Sequence, residues 1–408
     1  MNSQASNCAD SLALFPGAHL GVLGGGQLGR MFTKSALQMG YSVTVLDPGK
    51  ECPAGQIATH HLCAEYNDRQ ALSSLAKCDA VTIEFENIPL ESLQYLTAHT
   101  RLAPKPDAVA IAQDRAREKK FARDHGIATV PYAFIEASSD VAACCQAIEF
   151  PAILKTARLG YDGKGQVVCE NLADAVKAFE SLGSVDCVLE QRIELDAEIS
   201  VVLARGFDGS LSICPVAENQ HERGILDVSI VPARVDQQLQ KKAIAMASSL
   251  ADALDYAGVL AVEFFISSDG EVLMNEMAPR PHNSGHYTLD ATTLSQFDMQ
   301  VLALCGLQLP ACSLLSPVVM LNLLGDRWIA NEHQSGEHGQ PGEPGQPIQP
   351  NWHNLLNDTA VSAQEVTQIL HLYGKTSARA GRKMGHVNFL SPHVENAIAV
   401  AKGIKSIL

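Results

Sequence analysis

The chain has 408 residues, 46% of them hydrophobic, and a formal net charge of −15. The length allows two or three domains with cores of their own, and the acidity argues against nucleic acid or an anionic membrane as the main partner. The cysteines form no CxxC pair and no zinc spacing, and most sit in apolar runs, as in Cys78, Cys169, Cys187 and Cys305, which suits free thiols in a reducing cytoplasm.

Residues 1–18 read as a short irregular extension, because the first basic residue is Arg30 and leader peptides need positive charge early. No apolar run reaches membrane-spanning length. His19 to Leu23 reads as a strand, followed by Gly24-Gly-Gly-Gln27-Leu28-Gly29, a helix from Arg30 to about Met39, and a strand from Tyr41 to Leu46 closed by Asp47-Pro48. This βαβ unit carries the glycine turn and terminal acid of a dinucleotide fingerprint, although the same turn occurs wherever a helix start approaches a phosphate or a strand. A strand from Ala80 to Phe85 ends in Glu84-Phe-Glu86-Asn87. Glu84 reads as a solvated loop acid, and Glu86 and Asn87 as ligand contacts past the strand end. Leu102 to Asp107, with two prolines, reads as a linker.

Asp114 to Gly126 is an amphipathic helix whose basic run reads mostly as a solvated face. Strands and helices then alternate with short loops, in the manner of an α+β lobe. Within this lobe Lys155-Thr-Ala-Arg158-Leu-Gly160-Tyr161-Asp162-Gly163-Lys164-Gly165-Gln166 lies between two short apolar strands. Its glycines expose N–H groups and its lysines add point charges, which fits a lid over a nucleoside triphosphate. A surface hairpin with glycines for its turns is the other reading. The strand Cys187 to Gln191 ends in polar groups suited to an adenine edge and ribose. A long hairpin turns at Gly206-Phe-Asp-Gly209, with His221 just after it, and a helix spans Val235 to Tyr256.

Val259 to Ile266 and Glu271 to Glu276 read as two strands of a hairpin turning at Asp269-Gly270. A two-residue turn sets Glu263 opposite Glu276. Facing carboxylates repel unless a cation lies between them, and Mg²⁺ on nucleotide phosphates asks for such oxygens. The loop that follows, Met277-Ala-Pro-Arg280-Pro-His282-Asn283-Ser-Gly-His286, holds more hydrogen-bonding groups than a turn needs and reads as a substrate contact. Ser295 to Leu304 is helical and Pro317 to Leu324 a strand. Residues 331–350, rich in Gly, Pro and Gln, read as a surface loop or disordered insert. Lys375, Arg379, Arg382, Lys383 and His386 read as an anion site, and Pro392 to Leu408 as a closing helix.

The chain resembles the ATP-grasp superfamily, and within it the N5-carboxyaminoimidazole ribonucleotide synthetases. The resemblance rests on Gly24 to Met31, Leu159 to Gln166, Glu190-Gln191 with Glu198, Asn275 to His286 and Gly381 to Asn388, in that order along residues 19–390. It implies mixed α/β and α+β architecture: a Rossmann-like pre-ATP-grasp domain (19–112), an ATP-grasp domain (113–312) and a small C-terminal domain (313–408). It also implies a cytoplasmic homodimeric ligase of purine biosynthesis. With ATP, Mg²⁺ and bicarbonate, such an enzyme carboxylates 5-aminoimidazole ribonucleotide through carboxyphosphate, releasing ADP and phosphate.

By the same resemblance, ATP contacts fall on Arg115, Lys155, the loop Gly160 to Gln166, Glu190, Gln191, Arg192, Ile193, Glu198, His221, Asn275 and Glu276. Glu263 and Glu276 hold Mg²⁺. Gln27, Leu28, Glu86, Tyr161, Asp162 and Lys164 line the aminoimidazole pocket, and Lys375, Arg379 and Arg382 take the ribose phosphate. Arg280, His282 and Asn283 stand at bicarbonate and the reacting amine, with His282 or Asp162 as proton acceptor. Ala278 stands where many ATP-grasp enzymes have Asn, so a third protein ligand to the metal is unassigned. Competing readings are another ATP-grasp ligase such as formate-dependent glycinamide ribonucleotide transformylase, an NAD-dependent dehydrogenase, and a nucleotide-sensing protein without turnover.

Overall fold

The structure is a computed structural model describing residues 13–160, 163–329, 348–356, 361 and 364–407. Tyr161, Asp162, nearly all of the 331–350 insert and the first twelve residues of the extension lie outside the described residues.

The first sheet is parallel, in the order β3-β2-β1-β4-β5, with β1 (His19–Leu23), β2 (Ser42–Leu46), β3 (His60–Leu62), β4 (Ala80–Ile83) and β5 (Arg101–Leu102). Helices α1 (Gln27–Gln38), α2 (Arg69–Leu75) and α3 (Leu90–Thr97) connect its strands. The chain reverses its direction of travel across the sheet between β1 and β4, which opens a ligand crevice at their C-terminal ends. Two sequence boundaries shift here. Helix α1 starts at Gln27 rather than Arg30, directly off the glycine turn. The segment expected to be a linker contains the end of β5 and the start of α4 (Pro106–Ala112). Pro106 opens that helix, where a missing N–H costs nothing.

Asp114 caps α5 (Arg115–Asp124), accepting from the N–H groups of Ala116 and Arg117. A four-stranded antiparallel sheet follows, in the order β6-β9-β7-β8: β6 (Tyr132–Ile135), β7 (Ala152–Thr156), β8 (Gln166–Cys169) and β9 (Cys187–Gln191). Helices α6 (Val141–Ala147) and α7 (Leu172–Ser181) cover it, burying Leu154, Leu189 and Phe179 in its core.

The remaining strands form one nine-stranded sheet: β10 (Leu195–Arg205), β11 (Leu211–Ile213), β12 (Ala217–Glu222), β13 (Ile225–Val231), β14 (Gly258–Ser267), β15 (Val272–Ala278), β16 (Val318–Leu324), β17 (Thr367–Leu372) and β18 (Lys383–Leu390). Because β13 pairs with β16, hydrogen bonding runs unbroken from the ATP-grasp strands into the C-terminal ones. Helix α8 (Gln237–Ala253) packs on β10 and β14, and α9 (Thr288–Ala291) and α10 (Gln296–Leu304) lie at the junction with the first sheet. Helices α11 (Trp352–Leu356) and α12 (Val394–Ile407) complete the chain. No helix of the described residues is long and apolar enough to cross a membrane.

Candidate active site

A cavity of about 1340 Å³ lies where the three sheets meet, lined from the crevice of the first sheet, the small sheet, β12, and the hairpin β14–β15.

The glycine turn is closed by the protein's own acids. Glu84 accepts from the N–H groups of Gly26 and Gly29, each at 2.6 Å. Asp47 accepts from Gly25 N–H at 2.8 Å and from the Tyr66 hydroxyl at 2.7 Å. The donors that hold a pyrophosphate in a dinucleotide fold are therefore taken. A Cβ at Gly26 would stand 2.2 Å from Glu84 Oε1, so these glycines exist for the carboxylate. This corrects two expectations: Glu84 is a structural anion, not a solvated loop acid, and the turn does not support the NAD reading. Burial pushes the Glu84 carboxyl up, while the two N–H groups and the nearby Lys375 pull it down.

On the small sheet, Lys155 Nζ donates to Glu190 Oε2 at 2.7 Å, and Lys119 Nζ lies 3.1 Å from Glu190 Oε1. Arg115 is close enough to add a third positive charge and itself pairs with Glu276 Oε2 at 3.0 Å. Burial works against the Glu190 carboxylate, yet the lysines hold it down to about 2. The Lys155 ammonium is also pushed below its usual value, by burial and by Lys119 and Arg115, although Glu190 opposes this. The leading causes differ: the lysines lower the Glu190 carboxyl against burial, whereas burial itself leads the lowering of the Lys155 ammonium. Lys119 was read as part of a solvated run, but its side chain is 1% exposed. Its neighbour Glu118 is equally buried and accepts Met277 N–H at 2.6 Å. Alternate apolar residues failed to mark this face because α5 turns charged residues inward onto other charges.

Glu263 stands opposite Glu276, as the sequence suggested, but by a different route. The turn holds one more residue than expected: Ser267, not Ser268, pairs with Glu271. That slip would misplace Glu276, and a β-bulge at Asn275 restores it, with Phe264 opposite Met274 and Glu263 opposite Glu276. Bulges of this kind re-aim side chains beside active sites. The buried Glu263 carboxyl is pushed up to about 7, by burial and then by Glu276. Glu276 is held below its usual value despite burial, chiefly by Arg115. Asn275 Oδ1 is buried without a partner.

In the loop after β15, Arg280 Nε donates to Glu86 Oε2 at 2.6 Å, tying the crevice of the first sheet to the hairpin β14–β15. Asn283 is buried with both amide atoms unpartnered, facing a cavity it lines. Such groups call for a ligand. His282 Nδ1 lies 2.9 Å from the Ser284 hydroxyl, accepts Ser284 N–H at 3.3 Å, and stands 3.7 Å from Glu263 Oε1. His221 Nδ1 pairs with Glu198 Oε2 at 2.7 Å.

Of the expected site residues, Gln27, Leu28, Glu86, Arg115, Lys155, Gly160, Gly163, Gln166, Glu190, Gln191, Arg192, Ile193, Glu198, His221, Glu263, Asn275, Glu276, Arg280, His282 and Asn283 line the one cavity. Lys164, Gly165, Lys375, Arg379 and Arg382 are not among its lining residues, whereas Lys383, Gln113 and Glu118 are. Burial and then Arg382 lower the Lys375 ammonium to about 8, with Lys383 and Arg379 adding to the effect. His386, read as part of that anion site, is instead fully buried, stacked between His371 and His286 at centroid distances of 4.6 and 4.9 Å.

Three families match the chain: the ribonucleotide synthetase preATP-grasp domain over residues 18–113, the ATP-grasp domain over 120–297, and the phosphoribosylaminoimidazole carboxylase C-terminal domain over 318–400. The N5-carboxyaminoimidazole ribonucleotide synthase of Bacillus subtilis is 42% identical over 92% of each chain. That of Brucella melitensis is 39% identical over 94% of this chain and 99% of its own. A crystal structure of an N5-carboxyaminoimidazole ribonucleotide synthetase with ADP superposes with a TM-score of 0.86 at 40% identity, covering 97% of this chain and 98% of that one. The Aspergillus clavatus enzyme with ADP and 5-aminoimidazole ribonucleotide gives 0.83 at 29% identity, covering 97% and 99%. The chain belongs to the N5-carboxyaminoimidazole ribonucleotide synthase family of the ATP-grasp enzymes.

Proposed function

We propose that the protein is the ligase that carboxylates 5-aminoimidazole ribonucleotide on its exocyclic amine, using ATP and bicarbonate and releasing ADP and phosphate. The observation that carries this is the convergence, in one cavity, of the basic side chains Lys155 and Arg115, a facing carboxylate pair, and a loop with an unpartnered buried amide at Asn283. The relatives' names supply the substrate.

The donor set fits Mg²⁺. Glu263 and Glu276 face one another, and Mg²⁺ typically takes one or two carboxylates and completes its shell with phosphate oxygens and water. Among the described residues no group of three or more His, Cys, Asp or Glu could hold a metal ion. Held by Glu263 and Glu276, Mg²⁺ would supply neutralising charge to the transferring phosphoryl group. The chain's own residues do the rest. Lys155 and Arg115 hold the phosphates, and Glu190 holds Lys155. Arg280, fixed by Glu86, binds bicarbonate and the carboxyphosphate formed from it. The glycine loop covers the site, because this intermediate is lost to water.

For the proton, Ser284 N–H donating to Nδ1 places the His282 proton on Nε2, so His282 offers a donor. That leaves Asp162 as the candidate acceptor. Lys375, Arg379 and Arg382 are assigned to the ribose phosphate; burial and then neighbouring cations lower the Lys375 and Arg382 groups. We also assign the protein to the cytoplasm, as a homodimer. The test is ADP release from Mg²⁺-ATP and bicarbonate, with and without the aminoimidazole ribonucleotide. Stimulation by the ribonucleotide is expected, and its absence overturns the assignment.

A further inference from the structure

Helix α5 touches both halves of the nucleotide site. Lys119 Nζ lies 3.1 Å from Glu190 Oε1 on the small sheet and donates to the Asn275 carbonyl, at 3.3 Å, on the large one. Glu190 in turn carries Lys155, and Asn275 is the bulged residue that sets Glu276 opposite Glu263. One residue before Lys119, Glu118 accepts Met277 N–H. The backbone on both sides of Glu276 is thus held from α5, while Arg115, one turn earlier, holds the Glu276 carboxylate itself.

From this geometry we infer that Lys119 is a positioning residue: a buried pin between the two sheets that sets the phosphate lysine Lys155 in register with the metal carboxylate Glu276. The inference deepens the nucleotide reading given above and rests on it. Lys119 does not reach the phosphates in this scheme. Its ammonium neutralises one oxygen of Glu190, leaving the other to aim Lys155, and its second contact fixes the bulge. The bulge alone could be held by any donor, and Glu190 by any cation. Only a group between the sheets serves both, and the 1% exposure of Lys119 shows it is enclosed there. Replacing it frees Glu190 to draw Lys155 back from the cavity and lets Asn275 relax.

The test uses the full chain and two probes, Mg²⁺-ADP and adenosine. Lys119→Met is expected to weaken Mg²⁺-ADP binding roughly 10- to 100-fold, the range seen when groups that orient metal ligands are removed. Adenosine affinity should stay at the wild-type level, because adenosine lacks the groups that Lys155 and Glu276 serve. A residue with only a structural role would leave both affinities together, either lost or kept. Lys119→Arg, which keeps the charge, should recover part of the loss. If Lys119→Met does not fold, Lys119→Gln, which keeps a donor for the Asn275 carbonyl, reads the same difference. Unchanged Mg²⁺-ADP affinity, or an equal loss for both probes, overturns the pin. A wild-type chain that binds no Mg²⁺-ADP overturns the nucleotide reading itself, a separate outcome.

Discussion

Glu190 shows how burial and charge compete at one side chain. Taking a carboxylate out of water raises its pKa, and an unpaired buried one would be neutral. Two lysines reverse this and hold it down to about 2, against an ordinary value of 4.5. With the folded value below the unfolded one, the carboxylate contributes stability in full above about pH 4.5 and loses it as pH falls toward 2. The gap corresponds to about 3 kcal/mol. The stability difference between wild type and Glu190→Gln, from urea unfolding, should therefore narrow below pH 4.5; a constant difference refutes it. The sequence made the lysine of this pair visible through its glycine-rich neighbourhood. It hid Lys119 and Glu118, because a charged residue buried on charged partners has the same composition as a solvated one. Glu84 was hidden for a related reason: its partners are backbone N–H groups, which leave no trace in residue identity.

The hairpin β14–β15 shows why a correct pairing can follow from an incorrect turn. Asp269-Gly270 suggested a two-residue loop, and the loop takes a third residue. Period-two alternation cannot reveal this, since Asn275 adds the compensating residue in the returning strand. The glycine loop between β7 and β8 was legible as a loop with exposed N–H groups, but not what it closes on. Gly163, at φ +76°, supplies the answer: a Cβ there would stand 2.9 Å from the Arg223 carbonyl oxygen in the β12–β13 turn. Gly163 thus packs against the backbone of the β12–β13 turn on the opposite sheet. Gly163→Ala combines a left-handed backbone, costing about 1–2 kcal/mol, with a backbone clash. The expected result is a rise of about tenfold in KM for ATP, with the melting temperature within a few degrees of wild type. Gly183→Ala is the control, since Gly183 has a similar φ of +87° but open space around its Cβ. Equal KM values in the two variants remove the loop contact from the argument.

The three sequence units are joined more tightly than their order along the chain suggests. Leu20, Val22 and Phe32 from the first unit share a core with Phe297, Val301 and Leu304 of α10 and with Tyr373 near the C-terminal strands. Polar bonds cross the same junction. Gln300 receives Val259 N–H and donates to Thr82 Oγ1, Ser35 donates to Asp298, and Gln56 reaches the Gly374 carbonyl. Sequence periodicity identified α10 as a helix but could not name its partner, because its buried residues lie on several faces. The active-site cavity draws on this junction: the Arg280–Glu86 pair keeps its geometry only if the first sheet cannot drift against the hairpin. A domain held by a hinge would instead melt first and alone. Phe297 is fully buried in the shared core, and its replacement by Ala should cost about 3–5 kcal/mol in lost burial and cavity. In a calorimeter the wild type should unfold in one transition, and Phe297→Ala should move that transition down as a whole. An early separate endotherm in the variant, with the remainder unmoved, would mean that the first sheet is an independent unit. Retained Mg²⁺-ADP binding after that first transition would then show that the nucleotide site needs only the two later sheets.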